Sequence, residues 1–192
     1  MAGRSLLDVL SGGDRRSVGN SAGVVRLVLA SPELFPQLID GLTTGDEIIR
    51  MRTADAIEKI TRTHPEFLAP YKSLLLNLLP EIQQQEVRWH LAQILPRLLL
   101  NAKERRAVVA IMQRYLQDKS SIVRTFAMQA LADMACQDGA LLPSILRQLK
   151  DLTVTGTPAM RSRGRKLILK LEAIPVRKIG RRMKPVARRG RS

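Results

Sequence analysis

An apolar residue followed by arginine recurs four times along the chain, as Ile49-Arg50, Val87-Arg88, Val123-Arg124 and Met160-Arg161, at spacings of 38, 36 and 37 residues. A period of that length marks a supersecondary unit that cannot bury its apolar face alone and has to stack on copies of itself. Behind each arginine, offsets of 3, 4, 7 and 10 are small or apolar. They are Thr53, Ala54, Ile57 and Ile60 in the first copy, Leu91, Ala92, Leu95 and Leu98 in the second, and Ala127, Met128, Leu131 and Met134 in the third. The fourth has Gly164, Ile168 and Leu171, with Arg165 as the exception. These offsets lie on one face of an α-helix, so each arginine is predicted to open a helix.

A first helix with its own signature lies upstream of each of these. Ser31-Pro32-Glu33-Leu34-Phe35-Pro36 matches His64-Pro65-Glu66-Phe67-Leu68-Ala69-Pro70, and Ala140-Leu141-Leu142-Pro143 keeps the apolar-then-proline ending. Pro32 and Pro65 suit a first helical turn, where no backbone N–H is needed. Pro36 and Pro70 fall about one turn later and are expected to bend the helix. The third copy begins near Asn101 without these prolines.

A two-helix unit of about 37 residues with an early proline and Asp-x-x-x-x-Val-Arg before its second helix resembles the HEAT repeat. Asp118-Lys119-Ser120-Ser121-Ile122-Val123-Arg124, running into Ala127, Ala130 and Leu131, matches it best, and Pro158-Ala159-Met160-Arg161 fits the Pro-x-apolar-Arg part. The resemblance spans roughly Ser21 to Leu171. It departs in the second unit, where Ile82 stands in the aspartate's place, and in a longer loop over Thr153 to Thr157 of the fourth. It implies an all-α, right-handed solenoid of about four hairpins. It also implies that the helix-opening arginines bond turn aspartates, with Asp46 and Asp118 as partners for Arg50, Arg88 and Arg124.

Three regions are expected. Residues 1–20 form a flexible N-terminal segment, in which Leu6, Leu7 and Leu10 make a short apolar turn before the glycines at 12, 13 and 19. Residues 21–173 form the HEAT-repeat domain, opened by a capping helix over Val24 to Ala30. Residues 174–192 form a disordered basic tail with too little apolar surface to fold alone. Net charge is +15, and residues 151–192 hold 13 of the 32 Lys and Arg against only Asp151 and Glu172. Such a segment attracts polyanions.

Chemistry is sparsely represented. His64, His90 and the single Cys136 have no spacing that suits a metal cluster or a Cys/His nucleophile. No catalytic residue, metal or cofactor is expected. The HEAT-like DNA glycosylases carry a Trp-x-x-x-Asp pattern, but Gln93 stands where that aspartate would be. A lone cysteine and no long apolar run suggest a reducing, cytoplasmic setting without a membrane span, or a nuclear one in a eukaryote.

Two functions remain. The first is a scaffold that binds another protein through Trp89, His90, Arg52 and Arg88, with Trp89 as the large anchor. The second is a nucleic-acid module using Arg161, Arg163, Arg165 and Lys166 of the last hairpin together with Arg177, Lys178, Arg181, Arg182, Lys184, Arg188, Arg189 and Arg191 of the tail. A continuous basic track along one edge would favour nucleic acid, whereas arginines bonded within the fold would favour a protein partner.

Overall fold

The computed structural model describes residues 5–14 and 17–175. They form nine α-helices and five short 3-10 segments, with no β-strand among the described residues. The four predicted second helices are α3 (Glu47–Thr61), α5 (Gln85–Ile94), α7 (Ser121–Gln137) and α9 (Pro158–Glu172). Each begins three residues before its arginine. Local chemistry sets three of these starts. Asp46 accepts from the amides of Ile48 at 2.8 Å and Ile49 at 3.1 Å, Ser120 accepts from Val123, and Thr157 from Met160. These caps satisfy N–H groups that have no partner inside a helix.

The first helices of the four hairpins are α2 (Phe35–Asp40), α4 (Lys72–Leu78), α6 (Ala102–Tyr115) and α8 (Leu142–Thr155). Proline breaks the first two. The 3-10 turns Pro32–Leu34 and Pro65–Tyr71 lead into α2 and α4, as the positions of Pro36 and Pro70 predict. Helix α6, free of proline, is opened by a capping box between Asn101 and Glu104. The longer loop expected over Thr153 to Thr157 is mostly helix instead. The hydroxyls of Thr153 and Thr155 donate to the carbonyls of Leu149 and Asp151 four residues back, and α8 runs on to Thr155.

A further helix, α1 (Ser21–Ala30), precedes the hairpins. It packs on α3, which packs on α5, then α7, then α9, while α2, α6 and α8 cover this row from one side. Small side chains let the second helices approach closely: Ala54, Ala56, Ala92, Ala127, Ala130 and Ala132 are fully buried. Between α8 and α9 the approach is tighter still. A Cβ on Gly164 would stand 2.0 Å from the Thr153 hydroxyl oxygen.

The described part of the N-terminal segment corrects the expectation of a flexible lead-in over residues 1–20. Leu6 and Leu10 are buried in the core, and Asp8–Leu10 is a 3-10 turn. Arg52 of α3 holds the backbone beyond that turn. Its guanidinium donates to the carbonyls of Leu10 at 2.7 Å, Ser11 at 3.2 Å, Gly12 at 2.5 Å and Ser17 at 3.1 Å. Gly12 and Gly13, at φ 74 and 78, turn the backbone so that its carbonyls converge on one side chain. The predicted basic tail lies outside the described residues from position 176 onward, and with it Arg177, Lys178, Arg181, Arg182, Lys184, Arg188, Arg189 and Arg191.

Candidate interaction face of the second helices

The helix-opening arginines are spent in different ways. Arg88 donates from Nη1 to Asp118 Oδ2 at 2.6 Å, from Nε to the Ile82 carbonyl at 2.7 Å and from Nη2 to Gln83 at 2.7 Å. Its guanidinium also lies 5.3 Å from the centre of the Tyr115 ring. Asp118 belongs to the turn of the following hairpin, so the bond runs forward across the joint. Arg50 crosses its own joint to Gln84 at 3.0 Å and otherwise bonds the carbonyls of Thr44 and Gly45. Asp46, expected as its partner, caps α3 instead.

Arg124 also departs from expectation. Asp118 lies in its own hairpin and is already taken by Arg88 and by the amide of Ser120. Counted back from the helix starts, the place that Asp118 holds before α7 falls to Thr155 before α9, which carries no charge. The Arg124 Nε is buried without a partner. Arg161, the fourth in the row, is exposed.

Two residues expected to face a partner are interior. Arg52 is 2% exposed, and its guanidinium is given over to the N-terminal segment. His90 is buried too, and burial pulls its pKa down to about 4, against the opposing pull of Asp55 and Glu58, so the ring is neutral at pH 7. Its Nδ1 has no partner. The neighbouring carboxylates are paired. Asp55 accepts from Ser21 and, at 2.6 Å, from Lys59, while Glu58 accepts from Arg62 at 2.5 Å and Arg97 at 2.6 Å. Burial pushes the Glu58 carboxyl up, but the hydrogen bonds and charges of Arg62 and Arg97 outweigh it and hold the group below its ordinary value. Trp89 is half-buried and packs on the core, with its ring tilted against His90 at 5.6 Å.

An open face remains along α3, α5, α7 and α9. A cleft of about 460 Å³ is walled by Glu58, Arg62, Gln93, Arg97, Phe126, Gln129, Asp133, Cys136 and Arg163, among others. A second cleft, of about 520 Å³, shares Gln129 and Arg163 with it and adds Ser162, Lys166 and Lys170. A polar chain crosses the shared wall. Arg163 Nη1 donates to Gln129 Oε1 at 2.8 Å, Gln129 Nε2 donates to Asp133 at 2.9 Å, and Lys170 donates to the other Asp133 oxygen at 2.8 Å. The Arg163 guanidinium rests over Phe126, 5.6 Å from the ring centre. Of the four cations predicted on the last hairpin, Arg163 and Lys166 meet on this face. Arg161 and Arg165 are exposed but wall neither cleft.

Composition pointed to the cations of α9 but missed Gln129, Asp133 and Lys170. Their one local signal is the spacing of four between Gln129 and Asp133, which puts both on one helix face. Burial also affects the Cys136 thiol on this wall, raising its pKa, so it is not a poised thiolate. No three of His, Cys, Asp or Glu are arranged to hold a metal ion among the described residues, and no helix there is long and apolar enough to cross a membrane.

No family model matches the chain, and no curated protein matches it in sequence. Its fold is similar to the crystal structure of an engineered protein, with a TM-score of 0.58 at 17% identity, covering 87% of this chain and 78% of that one. At that identity the likeness concerns the fold alone.

Proposed function

We propose that the chain is a right-handed solenoid of HEAT-type hairpins that works as a non-enzymatic adaptor, docking another protein on the face of its second helices. The solenoid reading is supported by the serial packing of α1, α3, α5, α7 and α9, each on its neighbours in the row. One observation carries the adaptor reading: Arg50 and Arg88 are consumed by bonds inside the fold. A protein that tracks a phosphate backbone along the stack needs repeat-borne cations turned outward at each step. On the second helices the exposed cations without an acidic partner among the described residues, Arg161, Arg165 and Lys166, all lie on α9, beside a cleft that also contains amides, carboxylates and Phe126. Such mixed lining is typical of protein interfaces. The basic tail adds attraction for polyanions, and the setting is cytoplasmic.

A second reading, a nucleic-acid module built on the last hairpin and tail, draws on Arg161 and Arg165, which meet no acidic partner among the described residues. Photo-crosslinking separates the two. A crosslinking side chain at Gln93 or Gln129 of the full chain, exposed to a nuclease-treated extract, is expected to yield discrete protein adducts. The same group at the exposed Lys103 of α6 should not yield them. Adducts made only of nucleic acid, seen only without nuclease, would replace the first reading with the second.

A further inference from the structure

The charges on the cleft face do not cancel. Its two parts are walled by five cations, Arg62, Arg97, Arg163, Lys166 and Lys170, and by two carboxylates, Glu58 and Asp133. Glu58 is shared by Arg62 and Arg97, and Asp133 is taken by Lys170. Arg163 and Lys166 are left without a countercharge among the described residues.

Arg163 is the better formed of the two for recognition. Phe126 supports the plane of its guanidinium, and the neutral amide of Gln129 fixes one Nη. A side chain held at both points has little freedom left to lose when a ligand arrives. Its Nε and second Nη have no hydrogen-bond partner among the described residues and are not enclosed, since Arg105 and Arg124 are the arginines there with a buried, unpartnered nitrogen. These two donors form the parallel fork that a carboxylate accepts at both oxygens. Arg88 and Arg97 differ, since both already meet a carboxylate.

Resting on the adaptor reading, we propose that the cleft between α7 and α9 docks an acidic peptide segment of the partner, one carboxylate taking the free edge of Arg163 and a second reaching Lys166. Charge complementarity commits the site to an anion, and the wall selects a peptide over a nucleic acid. The Phe126 face that a base would stack on is already covered by the guanidinium. A peptide can place its acids at one end and neutral residues against Gln93 and Gln129. Adjacent helix axes lie about 8–10 Å apart. A segment crossing from α5 to α9 therefore spans about 16–20 Å, or about five to six extended residues.

The test uses the full chain and fluorescein-labelled ten-residue peptides carrying a photoreactive benzophenone. One peptide alternates Glu with Leu, one alternates Lys with Leu, and one alternates Ser with Leu. A labelled single-stranded DNA decamer serves as the competing class. Anisotropy at about 0.1 M salt is expected to show binding of the acidic peptide, with crosslinks on α7 and α9 rather than in residues 176–192. R163E should weaken it at least tenfold and R163K several-fold, since lysine keeps the charge but loses the fork. R161E, outside the cleft, should change it less than twofold, and circular dichroism checks that each variant remains folded.

Equal losses in R161E and R163E, or crosslinks confined to the tail, would reduce the effect to general basicity and overturn the proposal. Crosslinks to the cleft from the serine or lysine peptide, with none from the acidic one, would overturn the acidic partner but leave the adaptor reading standing. If the DNA decamer alone binds, and R163E abolishes it, both fail.

Discussion

Arg88 and Asp118 meet at 2.6 Å across the joint between the second and third hairpins, and the Asp118 side chain there is only 8% exposed. Arg124 holds the equivalent place one hairpin later and finds no acid among the described residues, where its Nε is buried and unpartnered. Two arginines with one sequence signature thus have opposite energetic standing. Removing Arg88 strands a nearly buried carboxylate, whereas removing Arg124 relieves an unsatisfied donor.

Arg88→Ala is therefore expected to destabilise the protein by about 2–4 kcal/mol, while Arg124→Met, which keeps the aliphatic stem, should change stability by less than about 1 kcal/mol. Urea denaturation of both variants checks the contrast. Equal losses would mean that Arg124 has a partner of comparable worth.

The described part of the N-terminal segment depends on one side chain. Arg52→Ala would leave several carbonyls near the core without their shared donor, at an expected cost of about 2–4 kcal/mol. Residues 5–20 should then become sensitive to limited proteolysis before the helices unfold. Unchanged protection of that stretch would mean that Leu6 and Leu10 hold it without Arg52.

The helix starts were legible because periodicity is local. The apolar-arginine pair near each helix start, and the apolar offsets behind it, can be read without knowing the fold, whereas Asp46 was read as an arginine partner and caps α3 instead. The joints were not legible in the same way. The resemblance implies that Asp46 and Asp118 pair with Arg50, Arg88 and Arg124 without saying which takes which, and the stacking direction gives Asp118 to Arg88 and leaves Arg124 without it. Arg52 read as an exposed cation because its acceptors are backbone carbonyls 35 to 42 residues earlier in the chain, and carbonyls leave no mark in a sequence. His90 was misplaced because its ring, one residue past Trp89, turns inward beside Asp55 and Glu58, where only the three-dimensional packing puts it. The cations of α9 were visible as charge, yet which of them share the cleft depends on helix phase: Arg163 and Lys166 do, and Arg161 and Arg165 do not.

His90 makes stability depend on acid. Its folded pKa of about 4 lies below the ordinary value of 6.5, so the unfolded chain binds more protons between those values. Stability is fully present above about pH 6.5 and is lost as pH falls toward 4. At about 1.36 kcal/mol per unit over about 2.5 units, the loss is at most about 3.4 kcal/mol. His90→Gln should flatten the dependence of the urea midpoint on pH between 7 and 4.5. If the slope is unchanged, other groups carry it.

Gly164 sets how closely the last hairpin closes. A Cβ there would stand 2.0 Å from Thr153 Oγ1 and 3.1 Å from Met128 Cε, and the threonine is held in place because its hydroxyl donates to the Leu149 carbonyl at 2.6 Å. The intrinsic preference of a helix for alanine over glycine, up to about 1 kcal/mol, works the other way. The clash is expected to win, with Gly164→Ala costing about 1–3 kcal/mol as overpacking does. Thr153→Ala removes the oxygen that the new methyl would strike, so the two substitutions should couple, the double variant being more stable than the sum of the single losses by about 1 kcal/mol or more. Additive losses would show that α9 shifts away bodily rather than meeting Thr153. Such a shift would also move Arg163 off Phe126, so acidic-peptide binding in Gly164→Ala distinguishes a local clash from a displaced helix.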